Sequence, residues 1–70
     1  MVKFYYTVEK EVEDENLTGN KTITVYSIVD NEPVKLTDIE SVIEDNSKEK
    51  IVDYFDENGF GDAEYELILL

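Results

Sequence analysis

The sequence contains no cysteine, no histidine and no arginine. Without cysteine there is no disulfide to staple the fold. Without cysteine and histidine there is no zinc site of the usual ligand set. The same absences remove a histidine-based triad and a thiol nucleophile, and the lack of arginine removes an arginine finger and a bidentate phosphate clamp. Long apolar runs are missing too. No segment approaches the roughly 18 residues of a membrane span, and the start lacks the basic-then-apolar pattern of a signal peptide. The expected location is therefore a cytoplasm. Asn16-Leu17-Thr18 and Asn20-Lys21-Thr22 fit the glycosylation sequon, but without secretion they read as turn residues.

What is present is a chain of 70 residues, expected to form one domain over 1–70. A domain this short buries only about 60% of its unfolded surface, and its core rarely supplies more than about 3–5 kcal/mol. With 41% hydrophobic residues, including five Tyr and three Phe, it reads as folded rather than as an acidic tail. Charge is the outlier: eighteen Asp and Glu against six Lys give a formal net charge of -12. Such a balance disfavours nucleic acid and anionic membranes as partners and favours basic proteins.

Val2, Phe4, Tyr6, Val8 and Val12 alternate with Lys3, Tyr5, Thr7, Glu9, Glu11 and Glu13. This period of two predicts a strand with one buried face. Asp14 to Asn20 is rich in turn formers and predicts a hairpin loop of moderate length. The β-branched and aromatic run Thr22 to Val29 predicts the returning strand. After the turn Asp30-Asn31-Glu32-Pro33, residues 34–45 read two ways. A third strand over about 34–40 continues the meander and is preferred; a short helix opened by the capping box Thr37-Asp38-Ile39-Glu40 is the alternative.

A helix follows, with Ser47 as expected N-cap and Gly59 as left-handed stop. Ile51, Val52, Tyr54 and Phe55 fall on one side of it, and Glu49, Asp53, Asp56 and Glu57 on the other. Ala63 to Leu70 predicts a last strand, whose apolar end on both faces suggests a central or covered position. The order β-β-β-α-β predicts a small α+β domain, a mostly antiparallel sheet with one helix on one face. The other face is left bare, with Tyr5, Tyr26 and Ile28 on it near Thr7, Thr22 and Thr24.

The chemical inventory predicts no enzyme. Ser27, Ser41 and Ser47 lie in no Gly-x-Ser-x-Gly setting, and paired carboxylates need a cleft that a domain of this size seldom has. EF-hand spacing fails: Gly61 at loop position 6 puts Leu67 where the bidentate Glu belongs, and Gly19 puts Val25 there. Gly59-Phe60-Gly61 closes a helix rather than opening one, so it is not a nucleotide fingerprint. No metal site or cofactor is expected.

Two groups of acids stand out, the first because it carries costs without structural return and the second because of its regular spacing. Glu49–Asp53 and Asp53–Glu57 are like-charge i,i+4 pairs, each costing about 0.2–0.5 kcal/mol, and Asp56 and Glu57 occupy the helix end that prefers cations. Glu9, Glu11 and Glu13 project from one strand face about 6.8 Å apart, with Asp14 and Glu15 extending the row into the loop. Such spacing imitates the charge of a nucleic-acid backbone. In size, charge, lack of cysteine and α+β pattern the chain resembles the short acidic proteins of phages and mobile elements that imitate nucleic acid, such as anti-CRISPR proteins and uracil-DNA glycosylase inhibitors. No diagnostic motif is shared and no functional residue carries over. The resemblance implies a non-enzymatic inhibitor in a bacterial host cell that binds a basic, nucleic-acid-binding host protein. The acids Glu9, Glu11, Glu13, Asp14, Glu15, Glu49, Asp53, Asp56 and Glu57 are the expected contacts. The alternative is a structural or adaptor module that dimerises or docks through Tyr5, Tyr26 and Ile28, its acids serving solubility alone.

Overall fold

Three strands in succession form a meander because each connection between them is a two-residue turn. In the computed structural model, which describes all 70 residues, β1 (Val2–Glu13), β2 (Asn16–Val29) and β3 (Glu32–Val42) are followed by α1 (Ser47–Glu57) and β4 (Tyr65–Leu69). The sheet order is β3-β2-β1-β4; the meander is antiparallel, and β4 lies parallel to β1. The result is the expected mostly antiparallel α+β domain. The third element is a strand rather than a helix.

The first connection is tighter than its sequence suggests. Glu13 pairs with Asn16, and the turn is Asp14-Glu15 alone, with φ of 51° and 67°. Two consecutive positive φ values match the right-handed twist of a hairpin. The second turn repeats the device at Asp30 (φ 52°) and Asn31 (φ 65°), between the paired residues Val29 and Glu32. The Gly expected to serve the first loop instead lies within β2. Gly19, at φ 92°, sits where the register shifts between the pairs Lys10–Lys21 and Val12–Leu17. Here β2 accommodates two extra residues in a bulge. Beyond it the hairpin continues as a two-stranded arm without β3, leaving Val12 and Leu17 exposed.

Helix α1 begins one residue earlier than expected. Asn46, extended at φ -73° and ψ 116°, is the N-cap, and its Oδ1 accepts the Glu49 N–H at 3.1 Å. Ser47 is the first helical residue. Both types cap well, so the choice falls to the preceding residues, which Lys21 and Ser41 hold in place. The far end is the expected stop. Phe60 N–H donates to Phe55 O at 2.8 Å and Gly59 N–H to Asp56 O at 3.4 Å, with Gly59 at φ 86°. This Schellman pair brings Phe60 back onto Phe55, ring centroids 6.0 Å apart.

Tyr6, Ile23 and Val25 from the sheet and Ile51 and Phe55 from the helix form the buried core. Phe55 is its centre, with the rings of Phe4 and Tyr65 each 4.9 Å away. Tyr54 is half-buried beside them, while Val52 stays exposed at 37% and lies off the helix's seat. Strand β4 also departs from expectation. It is an edge strand rather than a central one, with β1 as its one neighbour, although Tyr65 and Leu67 are partly covered where they pack against the core. No helix is long and apolar enough to cross a membrane.

Candidate acidic interface

Side chains alternate across a strand, so Tyr6, facing the helix, sends Tyr5, Thr7, Glu9 and Glu11 to the open face. The pairing extends this into cross-strand rows. Glu9 lies beside Thr22, which lies beside Glu40; Thr7 lies beside Thr24, which lies beside Asp38. A central file of threonines is therefore flanked by carboxylates of β1 on one side and β3 on the other. Glu11 and Glu13 carry the β1 row along the arm to Asp14 and Glu15 at its tip, all of them exposed.

Asp38 and Glu40 are absent from the expected acidic site, yet the sheet brings them to it. Their signal lies in the alternation Thr37, Ile39, Ser41 against Asp38, Glu40, which is usable once residues 34–42 are read as a strand. Asp38 is the restrained member: it accepts from Thr24 Oγ1 at 2.7 Å and from Lys35 Nζ at 2.8 Å. The Lys35 and Thr24 hydrogen bonds hold its carboxyl below the usual range, and Asp38 in turn raises the Lys35 ammonium.

The helix acids Glu49, Asp53, Asp56 and Glu57 are exposed on the outer side of α1. Since α1 covers the Tyr6 face, they and the β1 row lie on opposite sides of a molecule measuring 41 × 26 × 16 Å. The nine acids therefore make two surfaces. Asp56 approaches the turn at Gly61 and lies near Tyr65, whose hydroxyl is pushed up mainly by burial and secondarily by that carboxylate.

The lysines neutralise little of this. Among eighteen acids, only Asp38 and Asp45 are ion-paired, with Lys35 at 2.8 Å and Lys50 at 3.5 Å. Lys21 is buried, 5% exposed, and its Nζ donates to the carbonyls of Ile43 and Asp45. It is a structural cation that the composition conceals, since nothing in the sequence separates it from a surface lysine.

Asp45 also accepts from Ser41 Oγ at 2.6 Å, and this bond, more than Lys50, holds its carboxyl below the usual range. A depressed folded-state pKa stabilises the protein above the unfolded carboxylate value, about 3.9, and that stabilisation is lost as pH falls through the folded value. Asp45→Asn is thus expected to be less stable than the parent at neutral pH, with the gap closing below about pH 4. Urea titrations of both proteins across that range check it; a gap that persists at the acid end contradicts it.

Tyr5 and Tyr26 are Cα partners on the open face, with Ile68 beyond Tyr5 and Lys35 beyond Tyr26. Each ring is half-buried, so the aromatic anchors are largely occupied with their neighbours, and Ile28 is the more exposed member at 45%. No group of three or more acids converges closely enough to hold a metal ion. In comparisons with known proteins, no family model, no curated protein and no solved structure matches the chain.

Proposed function

We propose that this protein is a non-enzymatic binder that presents carboxylates to the nucleic-acid-binding surface of a basic partner protein and so blocks it. The observation that carries this reading is the unneutralised acidic row along β1. Glu9, Glu11 and Glu13 follow one another at about 6.8 Å per two residues, half the axial charge density of a single B-DNA strand, one charge per about 3.4 Å. Glu40, two strands away, adds a further carboxylate, while Asp38 is offset by Lys35, and the threonine file between the strands supplies hydroxyls. The row ends on a projecting arm able to enter a groove. The helix acids, facing the other way, are assigned to solubility and to steering the encounter. A partner of this kind places the protein in the cytoplasm of a bacterial cell, in the manner of anti-CRISPR and other anti-defence inhibitors.

The separation of the two acidic surfaces makes the test directional. The tagged chain is used to capture basic nucleic-acid-binding proteins from a bacterial lysate, and a captured protein is purified and titrated with variants. Glu9→Lys, Glu11→Lys and Glu13→Lys combined is expected to weaken binding more than about 100-fold. Lys at Glu49, Asp53 and Glu57 is expected to weaken it only about threefold, mainly through the on-rate. DNA or RNA should compete, and affinity should fall steeply between about 50 and 500 mM salt. Undiminished binding by the β1 triple variant, with its circular dichroism unchanged, overturns the proposal.

A further inference from the structure

The two edges of the sheet are unlike. Strand β3 carries Pro33, a register shift and the charges Lys35, Asp38 and Glu40, the devices that blunt an edge against pairing. Strand β4, Tyr65-Glu66-Leu67-Ile68-Leu69, has a single charge and pairs only with β1. Its backbone orientation is fixed by Leu70 N–H, which donates to Tyr6 O at 2.9 Å. Alternation along the ladder turns Glu66 and Ile68 toward β1 as well, and leaves the N–H and C=O of Tyr65, Leu67 and Leu69 pointing outward.

We infer that β4 is a self-association edge, taking β4 of a second copy in antiparallel register about Leu67. That register sets Leu67 opposite Leu67 of the second copy and Tyr65 opposite its Leu69. Only outward-facing residues are then matched, so about six backbone hydrogen bonds form and no outward group within the strand is stranded. On the open face Glu66 falls opposite Ile68, never opposite another Glu. On the helix face the row of Tyr65, Leu67 and Leu69 is wholly apolar. The same register carries the second copy's Leu69, whose counterpart here is 59% exposed, to a depression of about 330 Å³ beside Tyr65. Val2, Phe4, Phe60, Ala63 and Glu64 line that depression with Tyr65, and Val2 and Phe60 are more than half exposed. Its mostly apolar lining suits a leucine side chain. The contact is isologous, so it closes at two copies.

This inference does not rest on the acidic interface, and salt separates the two. Copies of charge -12 repel, so screening strengthens the dimer, whereas it weakens binding to a basic partner. Sedimentation velocity of the 70-residue chain is run from about 10 µM to about 1 mM, at about 50 and 500 mM NaCl. The mass is expected to rise from 8.1 kDa toward twice that value with concentration, and further at high salt. Leu69→Pro removes an outward N–H that β1 does not use and is expected to weaken association at least about tenfold. Tyr5→Ala is expected to leave association unchanged. Amide exchange gives a second readout on the unaltered chain: the Leu67 and Leu69 N–H groups should gain protection with concentration. A monomer throughout, or concentration-independent exchange at Leu67 and Leu69, overturns the inference even if Leu69→Pro fails to fold.

Discussion

Phe55→Ala is expected to leave the chain largely unfolded at room temperature. Phe55 is 3% exposed and stands at the meeting point of Phe4, Tyr54, Phe60 and Tyr65, with ring centroids 4.9 to 6.0 Å away. Truncating a buried Phe costs about 3–5 kcal/mol through lost transfer energy and the cavity left behind. A domain of this length has about that much stability in total, with no disulfide in reserve. The loss also reaches the helix stop, because the Schellman turn at Gly59 is supported by the Phe55–Phe60 contact. Far-UV circular dichroism and urea titration read the outcome. Val52→Ala, on the same helix but outside the core, should cost less than about 1 kcal/mol. A cooperative, native-like transition for Phe55→Ala would mean that the aromatic cluster does not hold α1 to the sheet.

Lys21→Met is expected to cost about 2–4 kcal/mol despite keeping the length and apolar stem of the side chain. Its ammonium holds the Ile43 and Asp45 carbonyls, which lie in the connection from β3 to the Asn46 cap. Hydrogen bonds from a charged donor contribute about 1.5–3 kcal/mol each, and removing the donor leaves half-buried carbonyls without a partner. The effect is therefore local as well as global. Amide exchange at Glu49, whose N–H is bonded to Asn46 Oδ1, should accelerate more than the loss of global stability explains. A change under about 0.5 kcal/mol would show that the carbonyls find water instead.

Parts of this molecule were legible because the signal was local. Alternation in Val2 to Glu13 reports a strand and its two faces, although of the apolar face only Tyr6 is buried while Val2, Val8 and Val12 stay exposed, and Gly59 after an amphipathic run reports a helix stop. Other parts were not. Asp14-Glu15 turns the chain without a Gly, and Gly19 lies at the bulge instead; residue types alone rank these sites the other way. Asn46 and Ser47 are both able caps, and the choice depends on Lys21 and Ser41, distant contacts that hold the residue before them. Asp38 and Glu40 join the acidic row only because β3 pairs with β2 in one register. Leu67 to Leu70 look like a buried strand, yet an apolar strand is also what an edge requires when another chain is to cover it.

Composition by itself determined the charge of the surface, the absence of metal-thiolate and histidine chemistry, and the dependence of the fold on packing alone. These are sums over residues and do not depend on where each one sits. The tertiary structure decided that β4 runs parallel to β1 at an edge, that a lysine is buried, and that the acids divide between two opposite faces. These are matters of pairing and of which side of the sheet the helix covers. Long-range geometry fixes them, and no short stretch of sequence carries it.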